Sequence, residues 1–385
     1  MKKLFCLLLA LATVFSLSAC QKNVETEPTS SSTAPEESVS EVEPEAVSEV
    51  SSELEPEVEA DYAFINPLTG EGTEEDISNN RPYAVMMNTL RKAMPQSGNS
   101  QADLYYEIPE EGGVTRIMAV FQDVTDVGKL GSIRSTRPYF VWLAYALDGV
   151  LIHAGGSGRA YNVLEETSLL EVDSLGVGSG VFYRDQARLS AGYSTEHTLY
   201  LDSDTLQEWI DNSSGYDMSH EEDYLTTHTH TFVEDGTPEG GSPASSITVP
   251  FSGYKTNIFT YNEDTQLYTI TDVYTESGTS YSMDYVDEQT GEAIGVTNVI
   301  VIQTAISQIE GDSYGRLDVT LVGSGQGYYA CNGKYIPILW SKDSYSDIFT
   351  FTTTQGEELS LGVGKTYINI VSTSKEITFT GDSAQ

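Results

Sequence analysis

Basic residues are scarce. The 385-residue chain carries 19 Lys plus Arg against 58 Asp plus Glu, a formal charge of −39. A protein that grips a polyanion needs a basic footprint, so no nucleic-acid partner is expected. The same deficit excludes electrostatic docking on anionic lipid unless a separate anchor makes the attachment. Cysteine is scarcer still, with three in all. Cys6 and Cys20 fall in or just after the leading apolar stretch, so Cys331 has no disulfide partner in a mature monomer. Stability must come from a packed core, and 39% hydrophobic and 10% aromatic residues are enough to build one. The leading apolar run, Leu4 to Ser18, has 15 residues, short of the roughly 20 that a membrane helix needs.

Several chemical signatures are missing too. There is no Gly-x-Ser-x-Gly elbow, and Ser372-x-x-Lys375 stands without companion motifs. Gly156-x-Gly158 has neither a third spaced glycine nor a P-loop lysine, and no loop matches an EF-hand. No cofactor is expected.

What is present begins with an address. Lys2 and Lys3 precede the apolar run, which ends in Leu17-Ser18-Ala19-Cys20, the pattern of a bacterial lipobox. Residues 1–19 read as a lipoprotein signal peptide. Cys20 would carry the lipid, and two acyl chains hold a protein stably on a bilayer where one is marginal. Residues 20–60 read as an acidic disordered tether, rich in Glu and Ser and without aromatics. The expected location is the extracytoplasmic face of the cell membrane.

The rest reads as α+β. Residues 61–235 form a mixed α/β domain, 236–246 a Gly/Pro/Ser linker or long loop, and 247–385 a β-rich domain. Strands are expected at 81–88, 104–108, 115–121, 150–153 and 197–201, and helices at 138–147, 159–170 and 204–210. The helix at 138–147 is apolar nearly all round and should be buried. Later strands include 247–249, 256–261, 267–273, 297–305 and 317–322. Hairpins are expected at Asn332-Gly333 and at Gln355-Gly356 between 349–353 and 359–361, and 367–371 is the closing strand. Charge is uneven: residues 81–195 hold ten basic and twelve acidic residues, whereas 196–385 hold six and 29.

That local concentration of arginine frames the first candidate site. Two polar, basic loops precede helix starts: Gly131-Ser132-Ile133-Arg134-Ser135-Thr136-Arg137-Pro138 and His153-Ala154-Gly155-Gly156-Ser157-Gly158-Arg159. Helix amino termini present unpaired N–H groups, glycine lets backbone approach an anion, and arginine adds a bidentate donor. Arg116, Arg134, Ser135, Arg137, His153, Gly155, Gly156, Ser157, Arg184 and His197 are the ligand-binding candidates. The same arginines could instead pair with Glu107, Glu111 and Asp185 in buried networks. An enzyme would use Glu107 and Glu111 as paired carboxylates, since glycoside hydrolysis needs two carboxyls about 5 to 9 Å apart. A metal site would start from His228-x-His230, with both imidazoles on one strand face and His220, Glu221, Glu222 and Asp223 upstream. No metal ligand is assigned.

Arg81-Pro82-Tyr83-Ala84-Val85-Met86-Met87-Asn88, Pro95-Gln96-Ser97-Gly98, Glu111-Gly112-Gly113-x-Thr115-Arg116, Gly131-x-Ile133-Arg134-Ser135-x-Arg137-Pro138 and His153-Ala154-Gly155-Gly156-Ser157 together resemble the YerB-like lipoprotein family. The likeness continues through Gly333-Lys334-Tyr335 and Gly364-Lys365-Thr366-Tyr367-Ile368, over residues 64–372. His197 is followed here by Thr198 where that pattern would have Asn. The resemblance implies a Gram-positive envelope lipoprotein of unknown activity, with an amino-terminal mixed domain and a carboxy-terminal β-rich domain. It supplies no catalytic residue. The expected function is non-catalytic binding of an anionic or wall-derived ligand, or of a protein partner. The alternatives are a hydrolase of wall glycan or peptide and a scaffold for a membrane-bound wall-synthesis enzyme. The expected partners are the bilayer, through acylated Cys20, and a cell-wall component or membrane protein.

Overall fold

The computed structural model describes residues 62–177, 180–220 and 224–381. The expected signal peptide and tether, with Cys20, and Glu221, Glu222 and Asp223 lie outside the described residues. The described residues form one compact unit. No helix among the described residues is long and apolar enough to cross a membrane.

In chain order the elements that build the unit are β1 (Tyr83–Asn88), β2 (Leu104–Pro109), β3 (Thr115–Phe121), β4 (Lys129–Gly131), α1 (Pro138–Ala146), β5 (Val150–His153), α2 (Gly158–Thr167), β6 (Glu171–Asp173), β7 (Phe182–Arg184), α3 (Gln186–Ser190), β8 (Leu199–Asp202) and α4 (Ser203–Asp211). Then come β9 (Ser242–Pro243), β10 (Ser246–Pro250), β11 (Lys255–Asn262), β12 (Leu267–Glu276), β13 (Thr279–Asp284), β14 (Asn298–Thr304), β15 (Gly323–Cys331), β16 (Lys334–Lys342), β17 (Thr350–Thr353), β18 (Thr366–Ser372) and β19 (Thr378–Thr380). An α+β fold with a β-rich second half is what the sequence led one to expect.

An eleven-stranded sheet organises everything, in the order β9-β16-β15-β14-β18-β2-β3-β1-β5-β6 with β17 on β16. The late strand β18 does not sit at an edge. It runs parallel between β14 and β2, with Asn369 opposite Glu107. The first and second halves of the chain therefore share one hydrogen-bonded sheet. Its inner strands are buried on both faces, which is why Ala84-Val85-Met86-Met87 and Val299-Ile300-Val301-Ile302 are unbroken apolar runs. One face packs on α1 and α2 through Met86, Tyr106, Met118, Ile368 and Phe140. The other packs on α4 and on the second, six-stranded sheet through Val85, Tyr105, Ile117, Phe259 and Ile270.

The local signals explain most of the elements. Pro138 opens α1, and six of its nine residues are buried. Ser157 caps α2, accepting from the Ala160 amide, and Asp202 caps α4 through Thr205. Asn332 and Gly333 both take positive φ and close the β15–β16 hairpin, with Cys331 opposite Lys334. Two strand expectations need revision. The strand at 197–201 begins at Leu199, after a 3-10 turn at Thr195–His197. The 349–361 hairpin is cut short: Thr352 bridges Glu358, but Leu361 pairs in parallel with Phe232 instead of with β17. The strand β15 carries no apolar alternation at its start, because two glycines stand where side chains cannot. A Cβ on Gly327 would lie 2.4 Å from the Val301 carbonyl oxygen, and one on Gly325 2.7 Å from the Trp340 indole nitrogen. The region 227–231 is irregular, and its two histidines part company. His228 stacks on Tyr224 at 4.4 Å, and His230 stacks on Phe351 at 5.5 Å.

Candidate functional site

β1, β5 and β6 run parallel, and β2 runs the same way. Their carboxyl ends, carrying Asn88, His153, Asp173 and Pro109, therefore meet along one edge of the sheet. Ligands of open α/β sheets bind outside such ends. The two polar loops lie there side by side: the Thr136 amide donates to the Gly155 carbonyl at 2.9 Å, and the Arg134 amide to the Met86 carbonyl at 2.9 Å. The fold thus brings the candidate loops together, but their side chains separate into three groups.

The first is an ion network. Arg116, buried at the start of β3, donates to Glu110 at 2.9 Å and to the Ser135 carbonyl at 2.7 Å. Arg137 grips Glu111 through both Nε (3.1 Å) and Nη2, and its Nη2 also lies 3.7 Å from Glu110. Burial pushes the Glu110 carboxyl up, against the pull of Arg116 and Arg137. Burial also lowers Arg116, to about 10. Glu111 sits below the usual range: burial opposes the shift, but Arg137 outweighs it. The partner of Arg116 is Glu110, a residue the sequence reading did not single out.

The second group is structural. His153 is fully buried, with Nδ1 2.9 Å from the Gly155 carbonyl and Nε2 2.5 Å from Glu171. The Gly155 amide, at φ +72°, donates to Asp173 at 2.8 Å. Gly156 packs against Thr136, and Ser157 is spent on its cap.

The third group surrounds His197. The ring is buried, with Nδ1 3.0 Å from Asn88 Nδ2, so the amide donates and Nε2 carries the proton. Nε2 lies 3.7 Å from the half-exposed Glu196. Burial lowers the imidazole. Glu196 opposes that shift, and the nearby positive charges of Arg134, Arg188 and Lys92 reinforce it. Arg134 donates to the Glu196 carbonyl at 3.0 Å, and its Nε is buried without a partner among the described residues. Arg184 is exposed and donates to the Thr195 carbonyl at 2.6 Å. Arg188 is anchored beneath by the carbonyls of Ala93 and Pro95 and by Glu288 at 3.0 Å. Asn88, Lys92 and Arg188 were missed in the sequence. For Arg188 the available sign was Asp185, which caps α3 by accepting from the Arg188 amide.

The two carboxylates considered for hydrolysis are both engaged. Glu107 is fully buried on the sheet face opposite α1 and accepts from Thr115, Asn257 and Tyr367, each at 2.5 Å. Burial of Cys331 pushes its thiol up to about 11, far from a reactive thiolate. A cleft of about 490 Å³ lined by Arg81, Asp148, Leu169 and Tyr224 lies at the opposite, amino-terminal edge of the parallel strands.

Comparison with known proteins finds one family covering both halves. Its N-terminal domain, described as a protein of unknown function (DUF3048), matches residues 68–217, and its C-terminal domain matches 247–368. The protein named "Putative lipoprotein YerB" of Bacillus subtilis (strain 168) is 30% identical over 307 residues, 79% of this chain and 85% of that protein. The crystal structure of the YerB protein from Bacillus subtilis superposes with a TM-score of 0.69 at 26% identity. The match covers 82% of this chain and 99% of that one.

Proposed function

The chain belongs to the YerB-like (DUF3048) lipoprotein family, and from that premise we propose that it is a membrane-anchored, extracytoplasmic binding protein that takes an anionic group of the cell envelope on the face around His197. The anchor would be Cys20 of the lipobox. The ligand would carry a carboxylate or phosphate, recognised by Arg134, Arg184 and Lys92 with His197 Nε2 between them.

The observation that carries this reading is the surplus of positive charge at His197. Arg134 shares Glu196 at 3.3 Å and Arg188 is paired with Glu288, whereas Lys92 and Arg184 have no carboxylate partner among the described residues. The buried, unpartnered Nε of Arg134 adds a donor with nothing to hold. Arg116 and Arg137, by contrast, are neutralised by Glu110 and Glu111 and would shape the edge rather than touch ligand. A non-catalytic role is supported by the sequestration of Glu107 and by the clamp of Arg137 on Glu111.

The test is a histidine titration by NMR of the intact protein. His197 is expected to titrate below the ordinary 6.5. Because the folded value is depressed, its contribution to stability is complete above that pH and is lost on acidification. Inorganic phosphate or acetate should raise its pKa, since a bound anion favours the imidazolium. Arg134→Gln combined with Arg184→Gln should abolish that rise. A His197 titration indifferent to both anions would sink the proposal.

A further inference from the structure

We propose that Lys255 and Asp272 are joined by an intramolecular amide bond, which the folded protein forms on itself with Glu107 relaying the protons.

The three groups converge from two sheets. On adjacent antiparallel strands Lys255 faces Tyr274, and Asp272 faces Asn257. Lys255 and Asp272 are therefore diagonal neighbours on the inward face of the six-stranded sheet. Lys255 Nζ is ion-paired with Asp272 Oδ1. Glu107 reaches across from β2 of the central sheet, with Oε1 3.8 Å from the same Nζ. All three are buried, at 1%, 3% and 0% exposure. Aromatic rings wall the site: Nζ lies 4.8 Å from the Tyr274 ring centre, and Tyr367 meets Phe259 edge-on. The Tyr274 hydroxyl donates to Asp272 Oδ2 at 2.8 Å and draws electron density from the carboxyl carbon.

Water excluded from such a site can neither solvate the charges nor hydrolyse the product. A dry ammonium–carboxylate pair is costly to bury, and condensation removes both charges. Fixed neighbours also react as if at enormous concentration, on the order of 10⁵–10⁸ M for well-oriented groups. The ammonium first passes a proton to Asp272, leaving an amine and a carboxylic acid. The amine nitrogen attacks Cγ. Glu107 takes a proton from the nitrogen of the tetrahedral adduct and returns it to the hydroxyl, which leaves as water. One C–N bond forms, one C–O bond breaks, and no oxidant or activating reagent is consumed. Burial raises the Glu107 carboxyl against the pull of Lys255, and its Oε1 stands 3.8 Å from the nitrogen it would deprotonate. The other buried lysine supplies a contrast. Lys342 donates to the backbone carbonyls of Tyr345 and Asp347 and makes no ion pair with a carboxylate among the described residues.

The bond would give a fold whose one described cysteine is free a covalent tie between two strands. Chymotryptic mapping of the denatured full-length protein tests it. Cleavage after Tyr254, Phe259, Tyr268 and Tyr274 should yield residues 255–259 and 269–274 as one branched species, lighter than their sum by one water. Asp272→Asn should give the same branched species, with ammonia leaving instead. Glu107→Gln should give two separate peptides, with near-UV circular dichroism reporting that it folds. Separate, full-mass peptides from the unmutated protein would overturn the bond. A branched species persisting in Glu107→Gln would overturn the role of Glu107.

Discussion

Arg116→Ala should destabilise the protein by about 3–5 kcal/mol, the cost of stripping the partner from a buried charge. Arg116 and Glu110 are 4% and 2% exposed, and no described lysine or histidine stands ready to replace the guanidinium. Arg137 is 3.7 Å from Glu110 but is already committed to Glu111. The loss should also free the Ser135 carbonyl and loosen the loop that carries Arg134. Urea unfolding at neutral pH measures the effect. The penalty should shrink as the pH falls toward 4.5, because Glu110, already raised by burial, then takes up a proton and sheds its uncompensated charge. Arg116→Met with Glu110→Leu should recover most of the loss, since an apolar pair of similar volume carries no desolvation cost. A cost below about 1 kcal/mol for Arg116→Ala would mean that the pair is solvated, as surface pairs are.

The second large effect concerns the two halves of the chain. Residues 62–245 expressed alone should fail to fold cooperatively, although the family's N-terminal domain ends within that stretch. Cutting there removes β18, and with it the whole parallel ladder along β2 from Leu104 to Glu107. It also strips Glu107 of Asn257, Tyr367 and Lys255, leaving a carboxylate in an apolar face. Tyr105 loses the ring of Tyr367, stacked on it at 5.2 Å. Near-UV circular dichroism and a urea titration would show the absence of fixed packing and of a sigmoidal transition. A fragment that unfolds in a single cooperative step would show that the first half is self-sufficient.

These two expectations mark where sequence was legible. Strand β3 and strand β5 could be placed to the residue, because an apolar run bounded by Gly113 or Gly149 has few other readings. Helix α1 was readable from Pro138 and its all-round apolar surface. Glu107 drew notice as one of a pair of carboxylates with Glu111, whereas the structure sets it beside Lys255 and Asn257. Its neighbours Lys255 and Asp272 lie 148 and 165 positions away along the chain. No spacing rule connects such residues, because sheet-on-sheet packing obeys no period in sequence. Glu110 was passed over for a related reason. Which of two adjacent glutamates turns inward is fixed by the buried Arg116 that pairs with Glu110, and side-chain type does not report it.

The sequence by itself settled the lipoprotein signature, the α+β composition and the concentration of arginine in residues 81–195. These depend on composition and on short-range patterns, which survive without knowledge of partners. Tertiary structure alone decided that β18 enters the middle of the sheet and that Arg116 and Arg137 are neutralised. It also decided that Arg134, Arg188 and Lys92 come close enough to act on His197. Each of those turns on which distant segments meet, and burial sets the energy of a charge only once the neighbours are known.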